Sequence, residues 1–422
     1  MYDILNVYLE NGLRVVMHKI PYSKTVACGV WVKQGSKHED DQTNGLSHLV
    51  EHLIINVNNH NNPEFQKLIR ELNDEGVVHN AGTTKENTNF YFTGLNKNLE
   101  KCIATLAEMV MHNKNFSEEL LENEKKVVAQ ETISFYSSFN QIRERTSQAL
   151  YGNMDVGRTI VGVIDNIKQA NSDQLNYIMK NSYTPENSTI VIIGGIEYDA
   201  VLRIVEKYFS SWDDEYTRDY SEVVDSEPGI FFNEIAGGQS SVISVGFRTG
   251  AFNSKDRKKI DIISKIIGEP GFESRLVKEI RTKRGLAYNL GAFTNSYEHR
   301  GALGFTVVCA HDLVYEVVSI ISDEIINIKQ NGFNDEEIDR AKKILETRTM
   351  LDLDNILSQL KFLGRCTSYN HLFSLEQEVR NIKKINKEDL NNLANEIFLN
   401  EKMGFAGIGN FSIDKSIELL KI

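Results

Sequence analysis

Residues 45–56 read GLSHLVEHLIIN and place two histidines four positions apart with a glutamate between them, as His48, Glu51 and His52. In a helix, residues at i and i+4 lie one turn apart on the same face, so both imidazoles can reach one metal ion. Glu51 shares that face. The pattern H-x-x-E-H is the inverted form of a zinc-peptidase motif, but the five residues alone are equally compatible with a polar strip on an ordinary helix.

The apolar residues around this motif recur at helical spacing, which predicts that the stretch is a helix. Thr43 or Asn44 is expected to cap its start. Leu49 and Ile54 flank the polar face, so the helix should be covered on both sides. The residues expected on its core face are Leu46, Val50, Leu53 and Val57.

A third ligand is available in the segment FSEELLENEKKVVAQETISF, residues 116–135, because catalytic zinc sites usually combine three protein ligands with one open position. Ser117 is a good N-cap for a helix here. Glu124 and Glu131 share one face, where a buried carboxylate is costly unless it is paired or binds metal. They could also merely border the core, but the two helices together favour a zinc site. The predicted stripe comprises Leu120, Glu124, Val128, Glu131 and Phe135.

Several stretches resemble the M16 metallopeptidases, in particular the short-chain branch that includes bacterial processing-protease-like enzymes and the beta subunit of the mitochondrial processing peptidase. The combined spacing of these stretches is far more specific than the five-residue motif. They include LENGLRVVMHKIP (9–21), ACGVWVKQGSKHED (27–40), NAGTTKENTNFYF (80–92), ENEKKVVAQE (122–131) and SRLVKEIRTKRGLAY (274–288).

The resemblance implies a set of site residues. His48, His52 and Glu131 would bind one zinc ion per chain, Glu51 would be the general base, and Glu124 would support the site.

The resemblance also implies substrate-binding residues in both halves of the chain. Asn80 and Ala81 match the substrate-binding strand, and Arg281 and Tyr288 match a pair that contacts substrate. The alternative for the pair is structural, with Tyr288 packed in the sheet and Arg281 solvated.

The loop after the metal helix departs from the family pattern. The family often carries a phenylalanine, a glycine and basic residues there, whereas this chain has the asparagine-rich loop 56–62. His60 in this loop is expected to be solvated, as loop residues usually are. The altered loop bears on substrate preference more than on chemistry.

The chain of 422 residues predicts an α+β protein with two domains. The acidic, polar segment 213–229 ends in Pro-Gly and is the expected linker between a zinc-binding catalytic domain, 1–212, and a metal-free domain, 230–422. The halves look alike when Asn80 is aligned with Asn289. The resemblance adds two similar α/β-sandwich domains with mainly antiparallel sheets that face each other like a clam shell.

The composition argues against several classes of partner. A formal net charge of −12 disfavours nucleic acid and anionic membranes as partners. No run is long enough for a membrane span, and the start lacks the pattern of a signal peptide, so a cytoplasmic location is expected. The four scattered cysteines are expected to be reduced, structural thiols.

These features predict a zinc-dependent endopeptidase that cleaves peptides or unfolded segments. Two alternatives remain open at this stage: a specialised peptidase that removes leader segments, as in bacteriocin maturation with a related partner subunit, and a non-catalytic structural subunit. The resemblance implies that a partner chain supplies the equivalents of Arg281 and Tyr288 to each site. Because this chain carries both that pair and the residues of the zinc motif, a symmetric homodimer with shared sites is expected. A heterodimer with a related, zinc-free chain is the second possibility.

Overall fold

The computed structural model describes residues 4–56, 63–112, 116–215, 226–235, 237–271, 273–372 and 374–422. The described strands form two sheets that share no strand. The strands of the first sheet are β1 (Ile4–Tyr8), β2 (Arg14–Lys19), β3 (Thr25–Val32), β4 (Val78–Thr83), β5 (Thr88–Leu95) and β6 (Ser188–Gly194). The strands of the second sheet are β7 (Ile230–Glu234), β8 (Ser240–Thr249), β9 (Asn289–Ser296), β10 (Gly301–Ala310) and β11 (Met403–Gly409).

The first sheet has the order β1-β2-β6-β3-β5-β4 and is antiparallel except between β2 and β6. Its central strands β3 and β6 are buried nearly throughout, because both faces of the sheet are covered. β4 lies at one edge and keeps partly exposed residues.

The second sheet repeats this arrangement with five strands in the order β7-β11-β8-β10-β9, antiparallel except between β7 and β11. The hairpin β4–β5 therefore corresponds to the hairpin β9–β10. Their four-residue loops are 84–87 and 297–300, which lie 213 positions apart. The predicted alignment of Asn80 with Asn289 is therefore wrong by four residues, and Asn80 corresponds to Phe293.

Helices cover both sheets. The α-helices of the described residues are α1 (Leu46–Ile55), α2 (Pro63–Asp74), α3 (Leu99–Ala107), α4 (Glu118–Tyr136), α5 (Ile142–Tyr151), α6 (Ile164–Gln169), α7 (Ser172–Ser182), α8 (Tyr198–Phe209), α9 (Arg257–Gly268), α10 (Val314–Asn331), α11 (Asp335–Leu353), α12 (Ile356–Ser368), α13 (Leu375–Lys384), α14 (Lys387–Ile397) and α15 (Ile413–Leu419). A π-helix spans Val277–Lys283.

The chain forms two compact units that exchange a helix between the halves of the sequence. The first unit comprises Met1–Ser134, Thr159–Val223 and Leu351–Ser374, and the second comprises the remainder. Within the first unit, α12 packs on β3 and β6. Gly364 of α12 lies so close to the Trp31 ring that a Cβ there would clash with it. Within the second unit, α5 packs on β8 and β11.

The α+β class and the mainly antiparallel sheets are confirmed. The predicted ranges 1–212 and 230–422 separate the two sheets, but the compact units differ from them because α5 and α12 each join the opposite half. Residues 216–225 of the expected linker lie outside the described residues.

Two further expectations concern cysteines and membrane spans. The four cysteines Cys28, Cys102, Cys309 and Cys366 are buried, and none of them forms a disulfide. None of the helices in the described part of the chain is long and apolar enough to cross a membrane.

Candidate metal centre

Helix α1, which carries His48, Glu51 and His52, begins at Leu46 and packs against β4 and β5. Its apolar residues Leu46, Leu49, Val50, Leu53 and Ile54 are fully buried, as the periodicity predicted. The helix ends at Ile55 with Asn56 as its C-cap. Val57, predicted on the core face, falls beyond this end and outside the described residues.

The start of α1 is held by Glu39, a residue outside the motif. Gly45 occupies the N-cap position with φ of 108°, a left-handed conformation that glycine adopts readily. The Glu39 carboxylate accepts hydrogen bonds from the backbone N–H groups of Gly45 (2.9 Å) and Ser47 (2.6 Å). The Asn44 amide also donates to Glu39 at 2.9 Å. The prediction that Thr43 or Asn44 caps the helix is therefore wrong, and a buried acid suits the positive end of the helix dipole.

Three potential ligands converge on one point between α1 and α4, namely His48, His52 and Glu131. Oε2 of Glu131 lies 3.4 Å from Nε2 of His52 and 3.8 Å from Nε2 of His48. Two ligand atoms bound about 2.1 Å from a tetrahedral zinc ion lie about 3.4 Å apart, so the observed spacing suits such an ion. One carboxylate and two imidazoles also form a donor set that zinc prefers.

The protonation of His48 also suits a ligand. Burial lowers the pKa of His48 from 6.5 to about 4, and the charge of His52 contributes to the decrease. The buried Nδ1 atom of His48 has no hydrogen-bond partner among the described residues, so nothing there stabilises a second proton on the ring. His48 is therefore neutral near pH 7, the form that binds metal.

Glu124 lies behind His52 on the side of the ring opposite Glu131. Its Oε2 is 3.4 Å from Nδ1 of His52, and its Oε1 accepts a 2.6 Å hydrogen bond from the Asn56 amide. A carboxylate that accepts from the remote ring nitrogen fixes the tautomer and orientation of a ligating histidine.

The two carboxylates of the predicted stripe on α4 both face His52 but differ in their exposure. Ser117 accepts a hydrogen bond from the Leu120 backbone at 3.3 Å and so caps the helix as expected. Glu124 is buried, whereas the Glu131 side chain is 50 % exposed. Glu131 is thus partly exposed to solvent. The free-energy cost of burying a carboxylate therefore applies only to Glu124.

Glu51 points from the same face of α1 into a buried position. Its Oε2 accepts a 2.8 Å hydrogen bond from the Thr83 hydroxyl. Burial raises the pKa of Glu51 above its usual range, and the neighbouring charge of Glu131 adds to the rise. The Thr83 hydrogen bond and the His52 charge oppose it. A raised carboxyl pKa beside a metal-ligand cluster is typical of a general base.

Asn80 and Ala81 lie on β4, the edge strand that packs against α1. Asn80 is exposed, and its Oδ1 accepts from the Ala81 backbone N–H at 2.8 Å. An edge strand offers backbone groups to an added strand.

Arg281 and Tyr288 lie together in the second unit. The Arg281 guanidinium stacks over the Tyr288 ring with its carbon 4.3 Å from the ring centroid. Tyr288 precedes β9 and is 80 % exposed, so it does not pack inside the sheet. The two residues therefore present one cationic and aromatic surface.

Sequence reasoning missed Glu39, Asn56 and Thr83. Each of them acts on a motif residue through a hydrogen bond made by the folded chain. Of these three residues, only Glu39 had a local sequence signal. It is an acid shortly before the start of α1, and carboxylates are favoured at helix N-termini.

Comparisons with known proteins agree with this fold. The family model described as Insulinase (Peptidase family M16) matches residues 14–163, and the Peptidase M16 inactive domain matches residues 169–345. The fold and the family models identify the chain as an α+β protein of the metallopeptidase class. It belongs to the M16 peptidase family.

Individual relatives cover nearly the whole chain. The uncharacterized zinc protease YmxG of Bacillus subtilis is 26% identical over 92% of this chain and 94% of its own length. The mitochondrial-processing peptidase subunit beta of Neurospora crassa is 24% identical over 95% of this chain and 87% of its own length. A crystal structure of a protease from Helicobacter pylori matches with a TM-score of 0.87 and 21% identity, covering 97% of this chain and 99% of that one.

Proposed function

We propose that this chain is a zinc-dependent endopeptidase that cleaves peptides or unfolded segments. The observation that carries the proposal is the convergence of Nε2 of His48, Nε2 of His52 and Oε2 of Glu131 beside the buried carboxylate of Glu51. Relatives named zinc proteases support the choice of metal.

The chemistry divides between the metal and the chain. Zinc, when bound, makes a water molecule more acidic and polarises the scissile carbonyl. Glu51 accepts a proton from the attacking water as the new C–O bond forms. It then delivers this proton to the leaving amine as the C–N bond breaks. His48, His52 and Glu131 would hold the ion, and Glu124 would orient His52.

Substrate recognition would use β4 and the second unit. An extended peptide would add to the free edge of β4 near Asn80 and Ala81 through backbone hydrogen bonds, which places few demands on side chains. Arg281 and Tyr288 would contact the substrate with their exposed stacked surface.

The assembly we propose is a symmetric homodimer in which each site takes Arg281 and Tyr288 from the partner. A heterodimer with a related chain is the alternative, since one relative is named as a beta subunit. A leader-peptide peptidase would use the same chemistry on a dedicated substrate. A non-catalytic role fits less well, because the ligand set and the base are all present in one place.

The test is cleavage of a mixed peptide library, read by mass spectrometry, together with a zinc assay. Wild type is expected to carry about one zinc ion and to cleave peptides, whereas Glu51→Gln should keep zinc and lose at least about 100-fold in rate. Glu119→Gln changes an exposed acid in the first turn of α4 and should behave as wild type. Near-normal turnover by Glu51→Gln would disprove the role of Glu51. A zinc-loaded wild type that cleaves nothing would favour the non-catalytic alternative.

A further inference from the structure

We infer that Thr83 is a positioning residue that holds the carboxylate of Glu51 in its working orientation. The inference rests on the proposed function, because it assigns Thr83 a role through the proposed general base. Thr83 lies outside the zinc motif and contributes no atom to the ligand cluster.

The contact is short and comes from the strand that flanks the site. Thr83 is the last residue of β4, and its hydroxyl donates to Oε2 of Glu51 at 2.8 Å. Because side chains alternate along a strand, Ala81 lies on the same face, where it packs against the core of the first unit. The hydroxyl therefore points inward from a fixed backbone.

The hydroxyl proton of Thr83 is directed to Glu51 by the hydrogen bonds around it. Oγ1 of Thr88 lies 3.5 Å from the Thr83 hydroxyl. The Thr88 hydroxyl donates its own proton to the backbone carbonyl of Gln34 at 2.8 Å. A hydroxyl carries one proton, and a carboxylate is the stronger acceptor, so the proton of Thr83 goes to Glu51.

The atoms behind Thr83 are themselves fixed. Thr88 and Gln34 are fully buried. The Gln34 side-chain N–H₂ donates to the Ser47 hydroxyl of α1 at 2.8 Å, and its side-chain Oε1 accepts from the Ser182 hydroxyl at 2.9 Å. These fixed neighbours restrict the position of the Thr83 side chain, and a supported side chain holds a reactive group more precisely than an unsupported one does.

The consequence for catalysis is specific. A glutamate side chain has several rotamers, and without the hydroxyl the carboxylate can leave the one in which it meets the attacking water. This loss acts on the reaction step and not on ground-state binding, so kcat falls while KM stays near its wild-type value. Zinc affinity should not change, because Thr83 does not contact a proposed ligand.

The experiment compares three substitutions in the full-length, zinc-loaded protein. Thr83→Val keeps the shape of the side chain and removes the hydroxyl, and it should lower kcat by about 10- to 100-fold. Thr83→Ser restores the hydroxyl and should recover most of kcat. The matched control is Thr93→Val on β5, which removes a buried hydroxyl that has no hydrogen-bond partner among the described residues. It should leave kcat unchanged.

The outcomes separate this inference from the proposed function. If wild type cleaves peptides, Glu51→Gln does not, and Thr83→Val has full kcat, the inference is wrong while the function stands. If zinc content falls together with kcat in Thr83→Val, Thr83 supports the metal centre instead, and the inference is again wrong. If wild type itself cleaves nothing, the function fails first. Should Thr83→Val not fold, Thr83→Ala against Thr83→Ser gives the same comparison.

Discussion

Oε2 of Glu124 lies 3.4 Å from Nδ1 of His52, on the opposite side of the ring from Glu131. This arrangement predicts that Glu124→Gln weakens zinc binding by about 10- to 100-fold without abolishing it, because the amide no longer carries the charge that orients the imidazole. Zinc affinity is measured by competition with a chelator of known affinity. Affinity and activity equal to wild type would reduce Glu124 to a residue at the edge of the core.

Glu131 should behave differently, because its Oε2 faces Nε2 of both histidines. Glu131→Ala removes a proposed ligand, so the purified protein should have a lower zinc content and no peptidase activity. Elemental analysis of the purified protein gives the metal content. Full zinc occupancy in this variant would mean that the third ligand is another residue.

Glu39 is expected to be a stability determinant because it caps α1. Burial raises the pKa of Glu39, and the hydrogen bonds from Asn44, Gly45 and Ser47 oppose the rise. Glu39→Gln replaces one acceptor oxygen by an N–H₂ group that faces backbone donors, which should lower the free energy of unfolding by about 1–3 kcal/mol. Urea denaturation measures the change, with the exposed Glu119→Gln as control. An unchanged midpoint for Glu39→Gln would show that the cap is dispensable.

The zinc-free protein should lose stability in mild acid because of His48. The pKa of His48 is about 4 in the folded protein and near 6.5 when the chain is unfolded. Between these two pH values the unfolded chain binds a proton that the folded protein does not. The contribution of neutral His48 to the free energy of unfolding is therefore fully present above pH 6.5 and decreases as the pH drops towards 4. The full effect is at most about 3 kcal/mol. Urea midpoints across this pH range, compared with those of zinc-free His48→Ala, should show a shallower slope in the variant; parallel slopes would contradict the prediction.

The sequence predicted the features that depend on local periodicity. His48, Glu51 and His52 share a helix face because of their spacing, and Glu124 and Glu131 because they are seven apart. The capping by Glu39 and the Thr83 hydrogen bond depend on tertiary contacts that no spacing encodes.

The same distinction applies to the compact units and to the alignment of the two halves. The packing of α5 and α12 on the sheets of the opposite halves has no local signal, because an amphipathic helix pattern does not specify which sheet the helix covers. The alignment of Asn80 with Asn289 matched letters, whereas the hairpin loops set the true register.

The last prediction concerns shared sites in the proposed homodimer. The proposed metal ligands belong to the first unit, and Arg281 and Tyr288 belong to the second. If each site takes Tyr288 from the partner, a Glu51→Gln chain and a Tyr288→Phe chain, each inactive alone, should regain activity when they exchange subunits. One of the two sites in the hybrid then has both an intact Glu51 and an intact Tyr288. The expected recovery is up to about half of the wild-type activity per hybrid dimer, as two-fold symmetry requires.

The control for this mixing experiment is a chain that carries both substitutions. A mixture of the Glu51→Gln chain with the double variant contains no intact Glu51. It must therefore stay inactive, whether or not the sites are shared between chains. Chains of different mass identify the hybrid dimers by native mass spectrometry. Hybrid dimers that form and remain as inactive as the control would exclude sharing of Tyr288 between identical chains. Tyr288 would then act with the Glu51 of its own chain, because neither single variant carries both residues intact.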